Sequence, residues 1–357
     1  MAVSPGPELT DELVGADRVL AGRLEGAAAY VVDLLHEPGG EIRVVGGQLE
    51  LGADLVVRGH PDDYALDPVD PVDPGTVWAI DGGSCVVADA RSFQVVAHRA
   101  ARVRFSSGAT DLIESPALDV VAVSDSSAPA LAREALRELL DADPEQIPDL
   151  PRPVDALREW AEWRTVLRTI REAVAGDLVL VDGSLHGGPL VPPAVARRVH
   201  EEALAREVSL AGVVKASTLY WGRHAPLVTL LKRRGDRDRP RSTWAARIST
   251  DPVFGRLYIG DIFVAHLAPT APYAFRVDVA RGPRDPHEVL GRLAGLSRDA
   301  AFVGYPYPLA RAHQAARVSG YAVADVRRAF RDVLSRQGLS EDDIEVLFQD
   351  FHVVLNR

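Results

Sequence analysis

The sequence predicts an α/β protein in which helices flank a mixed β-sheet. Two short apolar runs, VWAI and LVLV, each end in an aspartate that precedes a glycine, at Asp81 and Asp182. Runs of this kind are typical of strands buried on both faces of a sheet. Strand-like segments follow Asp81 directly, and a long amphipathic helix precedes the second apolar run. Strands and helices in this order indicate a sheet covered by helices.

Composition limits the class of protein. The chain has 357 residues and a net charge of −11, from 40 Lys and Arg against 51 Asp and Glu. This length allows two or three domains, or one α/β domain with additions. The single cysteine, Cys85, excludes an intramolecular disulfide framework and a cysteine-based zinc site. The acidic charge argues against bulk coating of nucleic acid, but not against an enzyme that holds cations in an acidic pocket.

Neither membrane insertion nor secretion is expected. No apolar run approaches the roughly 18 residues that a spanning helix needs. The first residues are acidic and lack the basic-then-apolar pattern of a signal peptide. We therefore expect a cytoplasmic protein with no membrane partner.

The N-terminal part is predicted to be separate from the main domain. Residues 1–60 form an extension, with a helix over residues 8–36 and two strand-like pieces, EIRVVGG and LELGADLVV. Residues 61–75 contain four prolines and predict an exposed linker. Residues 76–357 form the main domain, which ends in a helical C-terminal part.

The first half of the main domain combines strands with two helices. Residues 77–105 predict two or three strands in succession, with a turn near residues 90–92. Helices are predicted over residues 129–140 and Val154–Ala175, and Gly176 ends the second.

The second half continues the alternation. The pattern predicts a helix over residues 193–206, a strand at VSLAGVVKAS and a polar segment over residues 231–247. RLYIGDIFVAHLA and YAFRVDVAR predict two strands joined by a proline-containing turn. GYPYP then leads into a further helix.

Asp81 and Asp182 are the leading candidates for a functional site. Each is predicted where a buried strand meets a glycine turn, which is where an α/β sheet opens a crevice for ligands. Ordinary Asp-Gly turn chemistry would explain the same residues without a function. Two carboxylates brought together repel each other unless a cation lies between them, and Mg²⁺ and Mn²⁺ favour oxygen ligands. A third acid would complete a two-metal site for phosphodiester hydrolysis.

Two helices offer further ligands. The helix before Asp182 carries Glu159 and Glu162. At about 100° per residue, Glu159 lies roughly 60° and Glu162 roughly 120° from the centre of the apolar stripe, which slightly favours Glu159. A solvent-facing position would explain either glutamate alone. His313 lies in the first turns of a predicted helix, eight residues after Tyr305 in the GYPYP loop.

Basic residues supply candidates for DNA contacts. Lys215 ends a strand, where it either contacts a phosphate or is solvated. The run over residues 232–241 includes Arg233 and Arg234 and is a DNA contact, a partner contact or a solvated loop. Asp261 also follows an apolar strand, but no glycine turn comes after it, and it is a candidate for a position behind the metal ligands.

Five motifs together resemble those of the NurA nuclease family. They are AIDGGS, LVLVDGSL, AGVVKAS, YIGDIF and GYPYPLARAHQAAR, in this order, over about residues 75–320. The resemblance implies that residues 76–357 contain an RNase H-like core that dimerises. It implies a manganese-dependent site, with Mg²⁺ as the alternative ion, that cleaves single-stranded and double-stranded DNA. It also implies a HerA-type hexameric ATPase as the partner in the resection of DNA ends.

The resemblance assigns a role to each candidate. The two aspartates of the family fall on Asp81 and Asp182, and its glutamate falls on Glu162 rather than on the other glutamate of the helix. Asp81 would bridge two metals, and the other two acids would hold one each. The histidine of the family falls on His313, which would bind or orient near the attacking water. Its tyrosine falls on Tyr305, which would position the scissile phosphate. One departure is Gly-Gly-Ser after the first aspartate, where Gly-Ser is commoner.

Two other functions compete with a nuclease. Strands after Asp81, then a helix, then a strand is the order of an RNase H-like domain, which actin-like phosphotransferases and ATPases share. WAIDGGSCVVAD also resembles their phosphate hairpin, but the sequence has no P-loop and no second glycine-rich phosphate loop after residue 250. A catalytically inactive ring adaptor for a DNA translocase is the other competitor, and the retained Asp81, Asp182 and His313 argue against it.

Overall fold

The computed structural model describes most of the chain from residue 41 onward. The described ranges are 41–44, 55–58, 60–90, 92–106, 108–150, 152–185, 190–217, 219–221, 225–248 and 259–348. The helix predicted over residues 8–36 lies outside them.

Strands and helices alternate along the described residues. The strands are β1 (Glu41–Val44), β2 (Leu55–Arg58), β3 (Asp67–Pro68), β4 (Val77–Asp89), β5 (Phe93–Ser106), β6 (Ala109–Glu114), β7 (Asp119–Ser124), β8 (Leu178–Val181), β9 (Ser209–Val214), β10 (Leu219–Trp221), β11 (Ala225–Pro226), β12 (Trp244–Arg247), β13 (Gly260–His266) and β14 (Phe275–Ala280). The helices are α1 (Ala128–Leu140), α2 (Pro153–Glu172), α3 (Pro193–Ala205), α4 (Leu227–Asp238), α5 (Pro286–Leu296), α6 (Tyr307–Ala316), α7 (Gly320–Arg336) and α8 (Glu341–Phe348). No helix within these ranges is long and apolar enough to cross a membrane.

The main sheet has the strand order of an RNase H-like fold. The order is β3-β12-β13-β14-β9-β8-β4-β5-β6, and β7 also pairs with β5. β4, β8 and β9 are parallel neighbours, whereas β4, β5 and β6 form antiparallel pairs. The predicted mixed sheet flanked by helices is therefore confirmed, as is the hairpin turn between β4 and β5. β6 and β7 extend this part beyond the strands that the sequence pattern predicted.

Side-chain alternation along the central strands decides which helices cover each face. Trp78 and Ile80 of β4 pack in one core with α1, α2 and α3. Val77 and Ala79 point the opposite way and pack in a second core with α5 and α6. Successive residues of a strand face opposite sides of its sheet, so Asp81 continues the face of Val77 and Ala79. The chemistry of the site is consequently expected on the α6 face.

A second sheet joins the N-terminal strands to a later segment of the chain. Its order is β11-β10-β1-β2, and β1 pairs antiparallel with β10. The proline-rich residues 61–75 are mostly exposed, but Leu66 and Val69 are buried and β3 pairs with β12 at the edge of the main sheet.

The predicted polar segment has regular secondary structure, and one predicted helix ends earlier than expected. The polar segment predicted over residues 231–247 is α4 followed by β12. Its apolar residues Leu227 and Leu231 are buried, and its charged side chains form i,i+4 pairs such as Lys232 with Asp236, which suit a helix. The helix predicted to reach Ala175 ends at Glu172, and Val174 beyond it is 66% exposed.

Candidate metal centre

Asp81 lies within a continuous strand rather than before a turn. β4 runs unbroken from Val77 to Asp89, and Asp81 pairs with Ala101 of β5. The prediction of a glycine turn after Asp81 is therefore wrong, and the two glycines have a different structural role.

The glycine pair makes room for helices on both faces of β4. A β-carbon on Gly82 would lie 2.3 Å from Oε1 of Glu162 on α2. A β-carbon on Gly83 would lie 2.1 Å from the carbonyl oxygen of Ala316 at the end of α6. No real side chain fits at these distances, so the second glycine permits the close approach of the helix that carries His313.

Asp182 occupies the position that the sequence predicted. It directly follows β8, and its N–H donates to the carbonyl of Ile80 on β4. The N–H of Gly183 donates back to Val181 and begins the turn. Because β4 and β8 are parallel with Ile80 opposite Val181, the next residues of both strands, the two aspartates, lie side by side.

His313 completes a group of three possible metal ligands. Asp81, Asp182 and His313 each offer a ligand atom, and these atoms lie within 4.8 Å of one another. Nδ1 of His313 is 2.6 Å from Oδ2 of Asp81. Arg99 of β5 fixes the end of α6 by donating to the carbonyls of Ala316 and Arg317, which places the histidine over the strand.

The electrostatics of this group favour a bound cation. The pKa of Asp81 is raised to about 6, first by burial and then by the neighbouring carboxylate of Asp182, although His313 and Lys215 act to lower it. Two carboxylates and an imidazole suit a divalent cation, whose charge would relieve this repulsion. The three side chains therefore fit a divalent metal ion.

Lys215 and Tyr305 border the same group. The ammonium of Lys215, which follows β9, pairs with Oδ2 of Asp182 and lies 5.3 Å from the centre of the Tyr305 ring. Burial and the Asp182 carboxylate both raise the pKa of the Tyr305 phenol. The ring of Phe275 packs edge-on against Tyr305, with centroids 5.4 Å apart. Sequence reasoning selected the lysine and the tyrosine but not this phenylalanine.

Glu162 approaches from the opposite face of β4. Its carboxylate is buried against Gly82, and Oε1 is 2.5 Å from Nη1 of Arg158. Burial raises the pKa of Glu162 to about 8, with a further contribution from the charge of Asp81. Glu162 lies outside the three-residue ligand group found among the described residues. Arg158 was missed, although its spacing of four residues from a glutamate on a helix is the signal for such a pair.

The apolar stripe of α2 does not indicate which of its glutamates is buried, because this helix is buried on several sides. Ala161, Glu162 and Thr165 are buried as well as Trp160 and Trp163 of the stripe. The pKa of Glu159 is raised by burial and by Asp155, without a contribution from Asp81. The structure thus places Glu162, and not Glu159, against the glycine that follows Asp81.

The other basic and acidic candidates have different surroundings. Arg234 donates to the carbonyls of Pro61 and Tyr64, so it fastens the proline-rich segment to α4. Arg233 on the same helix is exposed. Asp261 pairs with Arg247 on the neighbouring strand at 2.6 Å.

Comparison with known proteins supports the fold and the family. A family profile described as the NurA domain matches residues 75–235. The crystal structure of the NurA nuclease from Sulfolobus solfataricus is similar, with a TM-score of 0.54 and 17% sequence identity over 93% of this chain and 98% of that chain. Endonuclease V of Ciona intestinalis in complex with DNA has a TM-score of 0.37 at 11% identity, over 75% of this chain and 94% of that one. Comparison with curated protein sequences finds no significant match. Residues 75–235 thus match the NurA domain, and the chain shares its fold with a NurA nuclease.

Proposed function

We propose that this protein is a divalent-metal-dependent deoxyribonuclease that acts on DNA ends and on single strands. The observation that carries the proposal is the convergence of Asp81, Asp182 and His313 on one face of the sheet. Their ligand atoms come from β4, the end of β8 and α6, so three separate elements supply one site. The similarity to a protein described as a NurA nuclease supports a nuclease activity.

The chain's own residues divide the work of hydrolysis. Asp81, Asp182 and Glu162 would supply the carboxylates that hold Mn²⁺ or Mg²⁺ in a two-metal site. A bound divalent ion supplies a nucleophile at neutral pH and stabilises the leaving oxygen. His313, whose Nδ1 lies 2.6 Å from Oδ2 of Asp81, would bind the ion or orient the attacking water beside it. Lys215 and the Tyr305 hydroxyl would orient the scissile phosphate beside Asp182.

A nuclease assay tests the proposal directly. End-labelled single and double strands are incubated with the wild-type chain in Mn²⁺, in Mg²⁺ and in EDTA. We expect the wild-type chain to cleave DNA in Mn²⁺ and EDTA to abolish this cleavage. The Asp81→Ala and Asp182→Ala variants should both be inactive. Asp261→Ala is the matched control, because this aspartate pairs with Arg247 outside the ligand group. Wild-type turnover in either active-site variant would rule out the metal centre.

We further propose that the protein works as a homodimer with a HerA-type hexameric ATPase in the cytoplasm, in resection of DNA double-strand breaks. The sequence has no P-loop, so any translocation along DNA must come from another chain. A net charge of −11 makes unaided capture of duplex DNA weak at cellular salt. Resection of a blunt duplex should be slow for the isolated chain and become fast and ATP-dependent with the motor. Rapid, processive, ATP-independent resection by the chain alone would remove the need for a motor.

A further inference from the structure

A cavity opens directly beside the metal centre. It has a volume of about 390 Å³ and lies between the end of β9 and the starts of β10, α4 and β14. Its lining includes Lys215, Leu219, Tyr273 and Phe275. Ligand pockets have volumes of roughly 300–1,000 Å³, and this cavity is at the lower end of that range.

The cavity and the metal centre share side chains. Lys215 lines the cavity and pairs with Asp182. Phe275 lines the cavity and packs against Tyr305, which lies beneath the Lys215 ammonium. A strand whose phosphate reaches Lys215 therefore has its adjoining base at the mouth of the cavity.

Tyr273 gives the cavity an aromatic surface that the fold does not use. It lies in the connection between β13 and β14, and 67% of its surface is exposed. The neighbouring residue Ala274 is buried in a core cluster, so the backbone at this position is anchored while the ring stays open to solvent. An anchored, exposed ring beside a cationic group is the arrangement that single-strand binding proteins use to stack bases.

We propose that Tyr273 stacks on the base of the nucleotide adjoining the scissile phosphate in single-stranded DNA. This inference rests on the proposed nuclease function and adds a positioning residue to it. Every base presents a π-face, so stacking on a tyrosine tolerates any sequence. Base pairing would keep the base inside a duplex, and the contact therefore favours single strands or frayed ends.

The experiment places the base analogue 2-aminopurine at successive positions of a single-stranded oligonucleotide. The full-length Asp81→Asn variant is used in EDTA so that the strand is bound but not cleaved. We expect quenching of 2-aminopurine fluorescence at one position, kept by Tyr273→Phe and lost by Tyr273→Ala in the same background. Tyr321→Ala is the control, because Tyr321 is 88% exposed but lies on α7, outside the cavity lining.

Affinity and kinetics give independent readouts. Alanine substitution of a stacking residue costs about 1–3 kcal/mol per base, so Tyr273→Ala should weaken single-strand binding roughly 5- to 150-fold. In the active protein it should raise KM for single strands with kcat largely kept, since the contact is already made in the ground state. Strong binding and unchanged quenching in Tyr273→Ala would overturn the stacking proposal alone. Absence of single-strand cleavage by the wild-type protein in Mn²⁺ would overturn the nuclease proposal and the stacking proposal together.

Discussion

Gly82→Ala tests whether the glycine after Asp81 is required by Glu162. The added β-carbon would lie 2.3 Å from Oε1 and 2.7 Å from Cγ of Glu162, and 2.9 Å from Cγ of Arg158. Overpacking of a buried contact costs about 1–3 kcal/mol. At about 2–4 °C per kcal/mol for domains of this size class, thermal denaturation should show a lower melting temperature by several degrees. DNA cleavage should also fall, because the glutamate and α2 must move away from Asp81.

A double-mutant cycle separates this contact from general disruption of β4. Glu162→Ala removes two of the three close atoms, so the cost of Gly82→Ala should shrink in that background. Gly320→Ala is the matched control, because a β-carbon there meets nothing within 4 Å and the residue begins a helix. Equal melting temperatures for wild type and Gly82→Ala would show that Glu162 does not require a glycine at this position. An unchanged stability cost of Gly82→Ala in the Glu162→Ala background would show the same.

Three further predictions concern the acids of the site. Glu162→Gln should lower Mn²⁺-dependent cleavage by at least about 10- to 100-fold, which is the loss typical of residues that support metal ligands. Glu159→Gln should lower cleavage far less. The reverse ranking in a cleavage assay would favour the assignment of Glu159 from the helical wheel. Because the pKa of Asp81 is raised to about 6, protons compete with the metal for this carboxylate below that pH. The Mn²⁺ affinity measured by calorimetry should therefore fall as the pH drops through about 6. An affinity that does not change with pH would contradict a carboxylate ligand. The pKa of Glu162 in the folded protein is about 8, above its ordinary value of 4.5. The free energy of unfolding of the metal-free protein should therefore decrease as the pH rises from 4.5 towards 8. Glu162→Gln should make this decrease smaller in denaturant titrations.

The parts of the fold that depend on local pattern could be predicted from the sequence. The apolar runs before Asp81 and Asp182 predict buried strands, and they form β4 and β8, which are buried and pair in parallel. The alternation of strand side chains places both aspartates on the same face. The ordered motifs led to the family, and the GYPYP loop does precede the helix that carries His313.

Features that depend on packing between distant segments could not be predicted in the same way. Asp-Gly-Gly has the composition of a turn, but the glycines are there because α2 and α6 approach β4 closely from both sides. A helical wheel assumes one buried stripe, and it fails for Glu162 because α2 contacts several elements at once. The cavity at Tyr273 joins residues from three separate segments, and no spacing in the sequence indicates it.

The proposed nuclease function requires that Asp81, Asp182 and His313 bind a catalytic divalent cation. Titration of the purified full-length chain with Mn²⁺, followed by the loss of the free-ion signal in electron paramagnetic resonance, measures this binding without any DNA. We expect saturable Mn²⁺ binding by the wild type and by Asp261→Asn, and a loss of affinity of at least about 10-fold in Asp182→Asn. Binding of Mn²⁺ by Asp182→Asn with wild-type affinity would contradict this requirement.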